Sequence, residues 1–327
     1  MKVLVTGGAG YIGSFMIKKL LDDDYSVTVI DNLERGHVEL VDERAQFFKL
    51  DIKDDKSLSN LFSENSFDAV FHFAGLISVE ESEKEKEKYF ETNTEGSKKL
   101  FTKALEMGKV KKFIFSSTAA VYGNPTKVPI PEDHPKNPTS VYGKTKLQTE
   151  EFLSQFQEEN PDISFVSLRY FNACGAALDS SIGEKHLPET HIIPLAIDSL
   201  LSNKEFYLFG TDYETPDGTC IRDYIHVLDL VEAHILAYEQ IKKNKGGYFY
   251  NVGTGSGFSN REVIKMIEEV SGRKINLIEK ERRKGDADRL IADSTKIKNE
   301  LGFVPDYSDL KTIVKTAWEW HGKNIKY

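Results

Sequence analysis

Apolar residues along this chain fall into short β-rich runs separated by helix-length polar stretches. The runs stand at residues 2–6, 26–30, 46–51, 69–74, 112–117 and 163–170. Between them, residues 80–107 and 140–156 carry helical spacing with few breakers. Alternation of this kind is the pattern of parallel strands joined by helical crossovers. The fold class it predicts is α/β: a Rossmann-type, doubly wound parallel sheet over residues 1–171, with later elements around 222–252 returning to it. From Asn172 the regularity weakens into loops rich in Gly, Pro and Thr, at residues 172–194 and 210–218. Residues 172–327 are therefore expected to form a smaller α/β substrate-binding lobe. Strand and helix patterns resume at 248–252 and after Ser259, which has capping-box spacing with Glu262.

Composition narrows the function. With 327 residues and 39 % hydrophobic content the chain can bury a large core. A net charge of -9 argues against a nucleic-acid or anionic-membrane surface as the main function, so neither partner is expected. No apolar run approaches the roughly 20 residues of a membrane span, and the first strand starts too early for a signal peptide. The two cysteines, Cys174 and Cys220, supply neither a disulfide framework nor metal-ligand spacing. A cytoplasmic protein without a metal is the expectation. The dense Glu/Lys run at 80–88 reads as a solvated helix face and is assigned no chemistry.

The first candidate chemistry lies directly after the first strand. Gly8, Gly10 and Gly13 fit G-x-G-x-x-G between strand and helix, where missing Cβ atoms permit a tight turn, approach of a pyrophosphate and close helix packing. A tight turn alone can also select glycine. The second strand, however, ends in Asp31, near the spacing of about 20 residues expected for a carboxylate that accepts from ribose hydroxyls. An acid there repels a 2′-phosphate and favours NAD over NADP; its bland alternative is a loop opened by Asp31 and Asn32.

The second candidate follows the fifth strand. That strand ends in Ser116-Ser117-Thr118, and Tyr142 and Lys146 stand at i and i+4 on the next helix, sharing a face. A nearby cation and an oxidised nicotinamide would favour the phenolate of a tyrosine whose ordinary pKa is about 10. A packed Tyr with a snorkelling Lys is the structural alternative. Loops leaving one edge of a parallel sheet share a rim, which would let Thr118 and Tyr142 face one cofactor.

These segments, with Asp31-Asn32-Leu33, Asp51-Ile52, His72-Phe73-Ala74-Gly75 and Arg169-Tyr170-Phe171-Asn172, resemble the extended short-chain dehydrogenase/reductases. Residues 217–227, 251–255 and 282–286 extend the resemblance, over nearly the full chain, to the sugar-nucleotide 4-epimerases of that family. It implies a retained NAD that takes a hydride from carbon 4 of a UDP-hexose while Tyr142 takes the hydroxyl proton. The resulting 4-keto sugar turns over and is reduced on its other face. Implied NAD contacts are Gly7, Gly10, Tyr11, Ile12, Gly13, Asp31, Asn32, Asp51, Ile52, Phe73, Ala74, Gly75, Asn93, Ser116, Tyr142, Lys146 and Tyr170. Thr118, with Ser116, would hydrogen-bond the reacting hydroxyl.

On the UDP side the resemblance implies Asn172, Arg222 and Arg283 at the diphosphate and Asp286 near the uridine ribose. His191 and the residues up to Pro194, with Tyr207 and Phe209, would line the uracil. Arginines paired with Asp223 or Asp286 on the surface are the alternative for Arg222 and Arg283. The resemblance also implies a homodimer packed through helices at 87–107 and 142–156. Two departures stand out: Ile77 occupies a position that commonly holds lysine, and Leu290 a position where strict UDP-glucose and UDP-galactose enzymes tend to have tyrosine. The smaller Leu290 suggests room for a 2-N-acetyl group. Ala119 and Ala120 follow Thr118 where 4,6-dehydratases carry an acidic pair. A UDP-glucuronate 4-epimerase and a non-catalytic NAD-sensing protein stay open as alternatives.

Overall fold

The computed structural model describes residues 1–283 and 286–324. Lys284 and Gly285, inside the 282–286 motif, lie outside the described residues. The β-rich runs assemble a seven-stranded sheet. In chain order its strands are β1 Lys2–Thr6, β2 Ser26–Asp31, β3 Gln46–Lys49, β4 Ala69–His72, β5 Lys112–Thr118, β6 Ser164–Tyr170 and β7 Gly246–Val252. Their spatial order is β7-β6-β5-β4-β1-β2-β3, and the pairs from β5 to β3 are parallel. The order reverses between β1 and β4, the position at which doubly wound sheets bind dinucleotides. Register aligns Thr6 with Ile30 and His72, and His72 with Phe115. The segments that follow β1, β2, β4 and β5 therefore leave from one edge.

Two compact units divide the chain. The first comprises Met1–Gly123, Pro135–Arg169 and Val231–Tyr250; the second comprises Asn124–His134, Tyr170–Leu230 and the residues from Asn251 onward. In the first, Leu4, Phe62, Val70, Leu100, Phe101, Phe113, Phe115 and Leu153 bury together between sheet and helices. The apolar runs of β4 and β6 are continuous because a strand covered on both faces buries its side chains on each, whereas edge strand β3 leaves Gln46, Phe48 and Lys49 exposed. His72 is part of this core: its ring takes hydrogen bonds with Thr6 (2.6 Å) and Ser97 (2.7 Å), and burial, aided by the charge of Lys146, holds it well below the usual histidine pKa.

The expected helix over 80–107 is broken into pieces. Helices Val79–Lys84 and Lys86–Tyr89 are followed by a π-helical turn, Phe90–Gly96, and then by helix Ser97–Glu106. Wider turns of this type recur at functional positions, and this one carries Asn93.

In the second unit, helices Ile192–Ser202, Asn260–Ser271 and Leu310–Asn324 close over a core that includes Ile193, Ile197, Leu208, Ile264, Ile267, Ile313 and Val314. Helix Asn260–Ser271 starts in the anticipated capping box, Glu262 N–H to Ser259 Oγ at 3.1 Å and Ser259 N–H to the Glu262 carboxylate at 2.7 Å. The first anticipated loop, 172–194, also contains the short strand Asn172–Cys174, paired in parallel with Tyr224–His226.

Buried His226 accepts from Leu228 N–H at Nδ1 (3.1 Å) and meets Thr316 at Nε2 (3.1 Å); burial lowers its pKa to about 4. The unfolded chain protonates this histidine near 6.5 and the folded chain near 4, so its contribution to stability is lost as pH falls through that window. Replacing His226 with Asn is expected to flatten the decline of the melting temperature between pH 6.5 and 4. Parallel profiles for the two proteins would refute this role.

Candidate active site

The site is assembled from the glycine turn outward. Gly7 has φ +72°, and a Cβ there would fall 2.5 Å from the Ala74 amide nitrogen. A Cβ on Gly13 would lie 2.2 Å from the Gly7 carbonyl oxygen. Gly7, one position ahead of the G-x-G-x-x-G spacing, therefore lets β1 pass close to the segment after β4, and Gly13 lets helix Tyr11–Asp22 sit directly on the turn. Tyr11 and Ile12 open that helix, whose Ser14 N–H bonds back to the Gly10 carbonyl at 3.0 Å. Its leading amides carry the partial positive charge that suits a pyrophosphate.

Asp31 is held beside this turn. Its carboxylate accepts from Ala9 N–H (3.0 Å) and Leu33 N–H (2.8 Å), and burial raises its pKa. Asn32 donates to Asp51 at 3.1 Å, which joins two of the residues expected near the adenosine, and Ile52 lies buried next in sequence. The cradle of absent Cβ atoms, the helix start and the fixed acid together fit a dinucleotide.

The loop after β4 connects this cradle to the second constellation. Asn93 clamps it: its side-chain oxygen accepts from Leu76 N–H (2.8 Å), and its amide donates to the Leu76 carbonyl (2.9 Å) and to Thr145 (3.2 Å). A Cβ on Gly75 would stand 3.1 Å from that Asn93 oxygen and 3.6 Å from Lys146 Nζ. Phe73, Ala74 and Gly75 thus lie between the glycine turn and Lys146. Asn93 orients the loop through its own hydrogen bonds, whatever it does toward a cofactor.

Tyr142 and Lys146 lie on helix Val141–Glu159. Each of its first three amides has a side-chain acceptor: Val141 N–H donates to Glu83 (2.7 Å), Tyr142 N–H to Ser82 (3.1 Å) and Gly143 N–H to Ser140 (3.1 Å). Such amides lack partners within a helix. Two residues of the 80–88 run therefore do more than face solvent, although Glu80 and Lys84 form the expected exposed pair. Gly143 brings the helix against the turn Ala119–Tyr122, since a Cβ there would lie 2.6 Å from the Ala120 carbonyl oxygen.

This approach joins Tyr142 to Thr118. Burial pushes the phenol up to about 12, and its hydrogen bond with Thr118 pulls it partly back. Lys146 Nζ donates to the Ser116 carbonyl (2.8 Å) and stands 5.0 Å from the Phe115 ring centroid, and burial lowers its pKa to about 8. The sequence places an ammonium beside the phenol. In the structure that ammonium is bonded to β5, and the phenol's shift comes from burial and from Thr118. The part of Ser116 that is engaged is its backbone carbonyl, while the Thr118 hydroxyl also accepts from Ala120 N–H at 3.1 Å.

Sequence reading missed the support beneath these residues. Glu150, one turn beyond Lys146, is buried and accepts from Ser117 (2.6 Å), Ser167 (2.9 Å), Arg169 Nε (2.9 Å) and an Arg169 Nη (2.7 Å). Arg169 also donates to Tyr122 at 2.9 Å. β5, β6, the Ala119–Tyr122 turn and the Tyr142 helix are thus tied to one carboxylate. Tyr170 closes β6 and is buried.

The UDP-side candidates all belong to the second unit. Leu290 and Arg222 are register partners in paired strands, and the Arg222 guanidinium donates to the carbonyls of Ile221 (2.9 Å) and Ala287 (2.8 Å). Asp223 is fully buried and accepts from Thr254 N–H (2.9 Å), Gly255 N–H (3.1 Å) and Ala292 N–H (3.1 Å). Its carboxylate is therefore taken up by backbone, which removes it as the surface partner considered for an arginine. Asn172 donates to the Asp223 carbonyl at 3.0 Å.

Arg283 stacks over Phe209, 4.3 Å from the ring centroid. Tyr207 and Phe209 alternate with inward Phe206 and Leu208 on strand Glu205–Phe209, which puts both expected uracil-lining rings on its outer face. The Tyr207 hydroxyl, however, donates to Glu205 at 2.8 Å. Asp286 N–H reaches back to the Arg283 carbonyl at 3.4 Å. His191 precedes helix Ile192–Ser202, and its Nδ1 is bonded to Glu184.

A dinucleotide-type sheet carrying Thr118, Tyr142 and Lys146 beside its glycine turn defines a short-chain dehydrogenase/reductase-type scaffold. The chain belongs to the NAD dependent epimerase/dehydratase family, whose model matches residues 3–253. It is 46 % identical to a UDP-glucose 4-epimerase of Halalkalibacterium halodurans over 98 % of this chain and 96 % of that one. Among solved structures, UDP-glucose 4-epimerase from Brucella ovis in complex with NAD superposes with a TM-score of 0.94 at 42 % identity, covering 98 % of each chain. The UDP-Glc/GlcNAc 4-epimerase of Campylobacter jejuni gives 0.86 at 39 % identity, covering 98 % of this chain and 99 % of that one. Among the described residues no helix is long and apolar enough to cross a membrane.

Proposed function

We propose that the protein is an NAD-dependent UDP-hexose 4-epimerase that interconverts UDP-glucose and UDP-galactose through a 4-keto intermediate. The observation that carries this reading is the Tyr142–Thr118 hydrogen bond, one helical turn from Lys146 and on the rim of the dinucleotide cradle. When bound, NAD serves as the temporary hydride acceptor and donor, so the reaction needs no second substrate.

The chain's residues handle the proton. Thr118 donates to Tyr142 or to the sugar hydroxyl as required, because an alcohol both donates and accepts. Tyr142 takes the 4-hydroxyl proton as the carbonyl forms and returns it as the carbonyl is reduced. A phenol near 12, on a residue that is half-buried, is a poor base by itself. Tyr142 would form its phenolate more readily with a positively charged cofactor bound in the cradle, which would match the base to the step that needs it. Lys146 remains anchored to β5, where its ammonium adds positive potential and would be a donor for the ribose of a bound cofactor.

Arg222 and Arg283 provide the charge for a diphosphate, with Asn172, Asp286, Tyr207, Phe209 and His191 as the other contacts of the nucleotide half. Guanidinium groups bind phosphate in charge-assisted, two-pronged geometry, so lysine would not replace them equally. Leu290, beside Arg222 in register, leaves a smaller wall than tyrosine and supports turnover of UDP-N-acetylglucosamine and UDP-N-acetylgalactosamine as well. The chain works as a cytoplasmic homodimer packed through helices at 87–107 and 142–156. It serves galactose metabolism.

Proton NMR of purified protein with UDP-glucose and UDP-N-acetylglucosamine, without added cofactor, tests this reading. Both galacto-configured products are expected, and Leu290→Tyr is expected to abolish only the N-acetyl reaction. Equal loss of both reactions would sink the pocket argument. Failure to turn over either sugar, even after NAD is added, would sink the epimerase reading.

A further inference from the structure

Four side chains that the epimerase reaction does not require as a set meet in one short loop of the second unit. Glu184, His186, Glu189 and His191 each present one ligand-type atom, and the four atoms lie within 4.8 Å of one another. His191 Nδ1 is bonded to Glu184 Oε1, His186 Nδ1 stands 3.1 Å from that same oxygen, and His186 Nδ1 is 3.8 Å from Glu189 Oε1. We propose that this Glu-x-His-x-x-Glu-x-His loop is a structural zinc site.

The ligand chemistry selects the ion. Two imidazole nitrogens and two carboxylate oxygens form a borderline set that suits zinc better than magnesium or calcium, which prefer all-oxygen shells. Zinc bonds of about 2.0–2.2 Å in a tetrahedron place ligand atoms roughly 3.3–3.6 Å apart. The 3.1 and 3.8 Å separations bracket that range, the His191–Glu184 contact is shorter, and no two of the four atoms are more than 4.8 Å apart, so side-chain rotations that part His191 from Glu184 would close the shell. With neutral imidazoles the four groups carry two negative charges, which one divalent cation balances.

The surroundings fit a closed structural centre. The Glu184 side chain is only 4 % exposed, while that of His191 is 41 % exposed, so one side is anchored inside and another admits an ion. Glu189 Oε1 already accepts from Thr190 N–H (2.6 Å) and His191 N–H (2.8 Å), which fixes its carboxylate. The Glu184 carbonyl is held by Trp320 Nε1 at 3.1 Å, and Gly183 passes so close to that indole that a Cβ would stand 2.4 Å from it. All four ligands come from the protein, leaving no open position for a substrate as catalytic zinc requires. The ion would pin the loop that leads into helix Ile192–Ser202.

The test uses the full-length protein, dialysed against chelator and then titrated with zinc alone, with metal content read by mass spectrometry and affinity by calorimetry. One zinc per chain and a higher melting temperature on reloading are expected. His186→Asn is expected to lose the ion, and Glu189→Gln to weaken binding by about tenfold or more, with both variants retaining the wild-type circular dichroism spectrum. Cobalt in place of zinc should give the intense visible bands of a tetrahedral centre in the wild type and not in His186→Asn. Failure of the wild type to take up zinc would overturn the proposal and leave the cluster as a histidine–carboxylate ion-pair network. Equal binding by wild type and both variants would overturn it as well, by locating the ion elsewhere.

Discussion

Replacing Tyr142 with Phe is expected to lower kcat for UDP-glucose by about 10²- to 10⁴-fold, the usual worth of a positioned acid–base group. The ring stays, so the helix start held by Glu83, Ser82 and Ser140 should be preserved. The variant should therefore fold normally and bind UDP with nearly unchanged affinity, since the change removes only the atom that exchanges a proton. Thr118→Val should give a smaller loss, because Tyr142 keeps its hydroxyl; what goes is the Thr118 bond that lowers the phenol's pKa and the one proposed to the sugar hydroxyl. Steady-state rates with calorimetric UDP binding would separate these effects. A Tyr142→Phe protein within tenfold of wild-type kcat would assign the proton transfer to another group.

Glu150→Gln should have the largest effect on stability, a loss of about 3–5 kcal/mol. The carboxylate faces Arg169 at 2.7 Å with both side chains almost fully buried. Burial lowers the pKa of Arg169 and the bonds to Glu150 raise it; a guanidinium does not give up its proton in a protein, so Arg169 stays charged in the variant as well. Glutamine keeps the volume and leaves that charge without its counter-ion. Ser117 and Ser167 lose a charged acceptor in the same step. Because Ser117 lies between Ser116 and Thr118, kcat should fall along with the melting temperature. Chemical denaturation provides the check: a change under about 1 kcal/mol would mean that the network tolerates a neutral centre.

Much of this site is local in the sequence, and that portion was legible. The glycine turn, Asp31 at the end of a β-rich run and the i, i+4 pair Tyr142/Lys146 are each set by spacing within one strand–turn–helix unit. The Glu150–Arg169 pair was hidden because its partners are 19 positions apart on different elements, and a glutamate on an amphipathic helix reads as a surface residue. Only the resemblance points to Asn93. Its π-helical turn replaces a stretch with unbroken helical spacing, and helix propensity does not distinguish the two. The dense Glu/Lys run reads as a solvated face and hides the acceptor roles of Glu83 and Ser82, since these depend on where residues 141 and 142 arrive in space.

The second unit was less legible for the same reason. The motif at 217–227 identified Arg222 and Asp223, but not that Asp223 would be enclosed by the amides of Thr254, Gly255 and Ala292. The resemblance points to His191 at the uracil, and the contact of its ring with Glu184 is one that neither spacing nor resemblance reveals. Loops whose geometry is fixed by side chains leave little periodic trace in the sequence.

The most direct measurement follows UDP-glucose carrying deuterium at carbon 4 in ordinary water, with purified protein and no added NAD. Hydride removal from carbon 4 and return to the same carbon predicts UDP-galactose that keeps the deuterium while the 4-hydroxyl proton exchanges through Tyr142. UDP-galactose with solvent hydrogen at carbon 4 would contradict the account.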